Sequence, residues 1–204
     1  MSQGDGAPLP EAGGVRLASR TDPAWLPLAL ERFDEVLRDH AHCEKKAAAQ
    51  ALSLLAAWPD RTALVQRMAR LAQEELQHFR QVYDRLVARG VALGRDPGDP
   101  YAKGLRALVR HERDETRLTD MLLVGALIEA RSHERLVLLA EGLDDPELRR
   151  FYAALAKSEA GHARLFVDLA KEYADPEAVD ARLAALVEAE AEIVAGLPLA
   201  ARVH

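Results

Sequence analysis

Apolar positions recur at alternating intervals of three and four along four long stretches of the chain. The first series is Leu30, Phe33, Leu37, His40, Glu44, Ala47, Ala51, Leu54 and Trp58. The second is Leu64, Met68, Leu71, Glu75, His78 and Val82. The third is Leu118, Leu122, Gly125, Glu129, Ser132, Leu136, Leu139 and Leu143, and the fourth is Leu148, Tyr152, Leu155, Glu159, His162, Phe166, Leu169 and Tyr173. This spacing marks the inward seam of a helix packed in a bundle. It predicts four long helices, separated by Pro59-Asp60, by the Gly- and Pro-rich loop Gly90–Pro100, and by Gly142–Pro146. The first stretch opens at Thr21-Asp22-Pro23, a capping residue ahead of a proline, and reads as a short helix followed by a long one. The third, from Tyr101 to Glu141, reads as interrupted near His111–Glu115. Asp175-Pro176 opens a fifth helix ending near Gly196, with Leu183, Leu186, Val187 and Ile193 on its apolar side. The expected fold is all-α: an antiparallel four-helix bundle with an additional C-terminal helix against its outside. The first 20 residues, rich in Gly and Pro, read as a flexible arm, and residues 21–200 as a single domain.

Composition supports this picture. Ile occurs twice and Thr four times, while Ala and Leu dominate, a balance that favours helix over sheet. With 49% hydrophobic and 29% charged residues in 204, the chain is expected to be globular and soluble, with no run long enough for a membrane span. Its N-terminus lacks the basic and apolar regions of a secretory signal, so a cytoplasmic protein is expected. The single cysteine, Cys43, excludes an intramolecular disulfide and a zinc or iron–sulfur cluster held by cysteines of one chain. A net charge of −6 argues against a general nucleic-acid binder but leaves room for a local basic patch.

The seams carry polar residues where apolar ones belong: Glu44, Glu75, His78, Glu129, Glu159 and His162. The second and fourth helices each present Glu-x-x-His, whose two side chains share a face. The first and third each present one Glu. The midpoint of Glu44 and Glu75 falls on the Pro59-Asp60 break, and that of Glu129 and Glu159 in the Gly142–Pro146 turn. Each Glu therefore lies ~15 residues, or ~22 Å, from its turn, and both hairpins set their carboxylates at one level. The halves form a weak internal repeat of Glu, about thirty residues, then Glu-x-x-His. Four ionised carboxylates at one core level repel one another and are costly to desolvate. One way out is protonation; another is two divalent cations, which would neutralise them, and a carboxylate-rich set with one His per metal suits iron or manganese more than zinc. On the third helix Glu134 competes with Glu129, whose seam is more complete and whose height matches better. His133 and His40, each one turn from a candidate ligand, read as packed or hydrogen-bonded polar residues. Glu74 points about 100° away from its neighbour Glu75 and reads as solvated. Leu71, Leu122, Gly125 and Leu155 are candidates to line an apolar pocket, though Gly125 serves equally well to let helices pack closely.

These motifs carry a resemblance. DHAHCEKKAA from Asp39, EELQHF from Glu74, GALIEARSHERL from Gly125 and KSEAGH from Lys157 resemble, in order, the motifs of the MiaE family, the tRNA 2-methylthio-isopentenyladenosine hydroxylases. The resemblance spans about residues 25–175. It implies a ferritin-like fold and a nonheme centre of two iron ions. It also implies hydroxylation of the isopentenyl group on the modified adenosine next to the anticodon, with dioxygen as co-substrate and electrons from an external donor. Carried over by motif, the iron ligands are Glu44, Glu75, His78, Glu129, Glu159 and His162, the six that the spacing selects. His133 stands where a smaller residue such as cysteine is expected, and the N-terminal arm is short. The implied partners are the tRNA anticodon arm and a reductase or electron carrier, with no membrane and a monomer or small oligomer.

Such an enzyme needs to hold RNA and to draw the target base into its site. Lys103, Arg106, Arg110, Arg113 and Arg117 recur at three and four and would form one basic stripe on a continuous helix. Lys45 and Lys46 flank Glu44, and Arg131 and Arg135 follow Glu129. The alternative to RNA contact is a solvated face with pairs such as Arg110–Asp114. Alternative functions for the same donor set are a ferritin-like iron-binding or ferroxidase protein, and a manganese catalase or peroxidase.

Overall fold

The computed structural model describes residues 9–204. Among the described residues it contains one two-stranded hairpin and seven helices. The strands are β1 (Glu11–Ala12) and β2 (Val15–Arg16); the helices are α1 (Trp25–Glu31), α2 (Phe33–Ala57), α3 (Thr62–Ala88), α4 (Pro100–Arg106), α5 (Asp114–Gly142), α6 (Pro146–Tyr173) and α7 (Pro176–Gly196). The chain groups into two compact units. The first comprises the described residues up to Asp22, with Pro100–Arg135 and Ala156–Leu197; the second comprises Pro23–Asp99, Leu136–Leu155 and Pro198–His204. Helices α5 and α6 contribute residues to both.

In the second unit α2 and α3 pack along their lengths, antiparallel across the Pro59-Asp60 break. The α3 seam is buried throughout, at Leu64, Met68, Leu71, Glu75, His78 and Val82. The helix ends where Gly90 turns left-handed at φ +68° and the Val91 N–H donates to Leu86 O at 2.9 Å, a glycine-dependent stop. Tyr152 of α6 packs edge-on against Phe33 of α2, and Arg85 of α3 lies 3.5 Å over the Phe151 ring. Residues 198–204 belong to this unit as well. The Trp25 indole N–H donates to Arg202 O at 2.9 Å, and Ala201 and Val203 are buried.

In the first unit Asp175 caps α7, accepting the Ala178 N–H at 2.9 Å ahead of Pro176, as the sequence predicts. Val179, Leu183, Leu186 and Val187 are buried, together with Glu190. That carboxylate takes the fully buried Arg131 guanidinium of α5 in two bonds of 2.9 Å and the Tyr101 hydroxyl of α4 in a third of 2.9 Å.

Two expectations need correction. The flexible arm does not hold for residues 9–20; residues 1–8 lie outside the described range. Gly13-Gly14, both at positive φ, close the hairpin, and Val15 and Leu17 are buried. A Cβ on Gly13 would stand 2.3 Å from Ala160 O, so only glycine allows this approach to α6. Thr21 does not cap a helix either. Its N–H and hydroxyl both donate to Glu134, and α1 begins later, at Trp25, without a side-chain cap.

Candidate metal centre

Each unit gathers one set of ligand-type side chains. In the second, Glu44 of α2 meets Glu75 and His78 of α3; in the first, Glu129 of α5 meets Glu159 and His162 of α6. Within each set of three, one ligand atom per residue lies within 4.8 Å of the others. All six residues are buried, Glu75 completely. The spacing explains the geometry. His78 is three residues beyond Glu75, and its Nδ1 stands 3.3 Å from Glu75 Oε2 and 3.7 Å from Glu44 Oε2. His162 repeats the relation, with Nδ1 3.9 Å from Glu159 Oε2.

His40, one turn before Glu44, places Nε2 2.7 Å from Glu44 Oε1 and stacks on the Tyr152 ring at 5.6 Å. Burial alone would raise the Glu44 carboxyl. Hydrogen bonds from His40 and His78 outweigh it and hold the group well below the usual carboxylate range. Each set supplies two carboxylates and one imidazole, a hard oxygen-rich donor set suited to iron or manganese. Converging buried carboxylates partnered by imidazoles fit a divalent metal.

Glu134 is buried too, but it belongs to a different network. It accepts the Thr21 N–H at 2.8 Å, the Thr21 hydroxyl at 2.7 Å and the Arg131 guanidinium. Its oxygens are committed to structure. His133 faces Ala156 O from Nδ1 at 2.7 Å, a packed polar residue. Glu74 is exposed. A Cβ on Gly125 would meet the Phe166 ring at 3.1 Å, which assigns this glycine to close helix packing. Leu71, Leu122 and Leu155 are buried.

The basic stripe does not form on one helix. The chain leaves helical geometry between α4 and α5, over residues 107–113. Two distant side chains draw it out: the Arg110 N–H donates to Asp120 Oδ2 at 2.9 Å, and Arg182 Nη2 donates to Leu108 O at 2.7 Å. Both backbone groups would otherwise serve the helix. The Arg110 guanidinium is bidentate to Asp120 at 2.7 and 2.9 Å. Lys103, Arg106, Arg113 and Arg117 are all exposed, but only Lys103 and Arg106 lie on one helix, α4; Arg113 falls in the break and Arg117 on α5. Arg131 is buried against Glu190 and offers nothing to RNA. Lys45 and Lys46 face Asp96 and Asp99. His40 is the hydrogen-bonded core histidine that its position one turn before Glu44 predicts; the structure adds that its partner is the Glu44 carboxylate itself.

The fold has a close structural counterpart. The structure of a Synechococcus protein with aldehyde deformylating oxygenase activity superposes with a TM-score of 0.87 at 39% identity, covering 92% of this chain and 94% of that one. The fold is all-α and ferritin-like, with buried Glu/His clusters consistent with a two-metal site. The profile of the MiaE family, described as tRNA-(ms2io6A)-hydroxylase, matches residues 13–204. A Pseudomonas putida protein named tRNA 2-(methylsulfanyl)-N6-isopentenyladenosine(37) hydroxylase is 46% identical over 87% of this chain and 86% of its own length. A Salmonella typhimurium protein of the same name is 40% identical over 64% of this chain, which spans 47% of that relative. The chain belongs to the MiaE family and is a tRNA hydroxylase of that family.

Proposed function

We propose that the protein hydroxylates the isopentenyl side chain of 2-methylthio-isopentenyladenosine next to the anticodon of tRNA. The reaction uses dioxygen at a two-iron centre held by Glu44, Glu75, His78, Glu129, Glu159 and His162. The observation that carries this reading is the repeated buried set of Glu plus Glu-x-x-His in a chain of the MiaE family. The bound metals supply the redox chemistry with dioxygen that carboxylates and imidazoles lack. The protein's own part is to fix geometry and exclude water. His40 orients the Glu44 carboxylate. Leu71 and Leu155, each one turn before a ligand glutamate, keep the surroundings apolar and suit an isoprenyl chain.

Balance requires one C–H bond, one dioxygen, two electrons and two protons, giving one C–OH and one water. The electrons come from a reductase or small carrier. The tRNA anticodon arm meets Lys103, Arg106, Arg113 and Arg117, while Arg110 contributes less because Asp120 offsets its charge. Acting on tRNA, the protein is expected in the cytoplasm, and the proposal takes it to work as a monomer or small oligomer. No helix among the described residues is long and apolar enough to cross a membrane.

The activity of the Synechococcus protein favours a second reading, oxygenation of an aldehyde by the same donor set. One experiment separates the two. Iron-loaded protein is given a reductant and dioxygen with either tRNA bearing 2-methylthio-isopentenyladenosine or a long-chain aldehyde, and products are read by mass spectrometry. Gain of one oxygen atom on the nucleoside supports the proposal. Unchanged nucleoside with turnover of the aldehyde contradicts it.

A further inference from the structure

We propose that Cys43, Asp99 and His204 form a separate binding site for one divalent cation of the zinc type. Three distant parts of the chain meet there, all within the second unit: Cys43 on α2, Asp99 at the end of the loop after α3, and His204 beyond α7. One ligand atom from each lies within 4.8 Å of the others. Cys43 is buried, and the side chains of Asp99 and His204 are 8% and 5% exposed. His204 Nδ1 stands 3.5 Å from Asp99 Oδ2. Asp39, one turn before Cys43, sets Oδ2 3.7 Å from the thiol sulfur and accepts the Val203 N–H at 2.7 Å. The stretch carrying His204 is thus anchored beside the sulfur.

The donors are one sulfur, one imidazole nitrogen and one carboxylate oxygen. Zinc accepts all three in four-coordinate geometry, with Asp39 or a water available as the fourth ligand. The sulfur distinguishes this site from the six Glu and His residues, which offer only oxygen and nitrogen, and it favours a softer metal. Charge agrees. Lys46 places its ammonium 3.2 Å from Asp99 Oδ2. Two carboxylates, one thiolate and this ammonium leave a net charge of −2, which one divalent cation neutralises. On binding, the S–H bond breaks, a sulfur–metal bond forms, and the proton leaves to solvent. The bound cation would fasten the loop and residues 198–204 to α2, one residue before Glu44.

Cobalt(II) reports on this site because cobalt–thiolate bonds absorb through sulfur-to-metal charge transfer, whereas carboxylate and imidazole ligands give no such band. Cobalt(II) is titrated into the chelator-treated full chain. The band is expected in the wild type and in the Glu159→Ala/His162→Ala double variant, so failure of the two-iron reading leaves this result untouched. Cys43→Ser should abolish the band, and His204→Ala should weaken apparent affinity by roughly tenfold or more. Absence of the band from wild type at saturating cobalt overturns the proposal. Undiminished affinity in His204→Ala together with Asp99→Asn also overturns it, since Cys43 would then bind the metal without them.

Discussion

Glu129 and Glu134 lie five residues apart on α5, and both are buried. What separates them is what they face. Glu129 converges with Glu159 and His162, whereas Glu134 is bound by Arg131 and by Thr21. We therefore expect opposite losses on removing each charge. Glu129→Gln should lower iron content sharply with little change in unfolding free energy. Glu134→Gln should keep its iron but lose about 3–5 kcal/mol of stability, because Arg131 is left buried beside a weakened partner. Metal analysis and urea unfolding of both variants check this, and iron loss in Glu134→Gln alone would reverse the assignment. His40 acts through Glu44. His40→Ala is expected to weaken ferrous affinity about 10–100-fold, with partial recovery in His40→Gln, whose amide can donate to the same carboxylate. Equal affinity in all three proteins would reduce His40 to a packing residue. The candidate ligands were legible in the sequence because a charged residue on an apolar seam breaks its period. The Glu134 network was not, because Thr21 lies 113 residues away.

At the scale of elements, the long helices follow from alternating three and four spacing and from local stops such as Gly90 and Pro59. Their ends depend on neighbours in sequence, which is why they could be read there. The interruption before α5 was visible only in part. A stop near His111–Glu115 was expected, but the helix already ends at Arg106. The cause is non-local: Asp120 and Arg182 take the Arg110 N–H and the Leu108 carbonyl. Burial alone would raise the Asp120 carboxyl, but hydrogen bonds from Arg110 and Arg182 outweigh it and lower the group below the usual carboxylate value. A carboxyl whose folded pKa is depressed stabilises the fold above its unfolded pKa, about 4, and loses that contribution as pH falls through the folded value. Asp120→Asn is thus expected to cost about 2–3 kcal/mol at neutral pH. The difference from wild type should shrink steadily below about pH 4 as the native carboxyl protonates. Unfolding curves across that range check the sign, and a difference independent of pH would show that shape, not charge, is what Asp120 contributes.

Taken whole, the molecule is acidic, at −6, and yet is a tRNA hydroxylase by family. Its contact with RNA must then be local and sensitive to salt. Arg113→Glu/Arg117→Glu is expected to raise KM for tRNA several-fold and flatten its salt dependence while iron content stays unchanged; an unaltered KM would move the RNA surface elsewhere. The stripe depended on a continuous helix, and tertiary hydrogen bonds interrupt that helix, so its residues do not form one helical face. The six candidate ligands did not depend on that assumption, since each lies well inside a helix that forms as its seam predicts. The two-iron centre is tested most directly by iron stoichiometry after anaerobic ferrous reconstitution, in wild type and in Glu159→Ala/His162→Ala. About two irons per chain are expected in wild type and loss of bound iron in the variant, with the helical fold retained in both. A folded wild-type protein that takes up no iron, or a variant that binds as much as wild type, would contradict it.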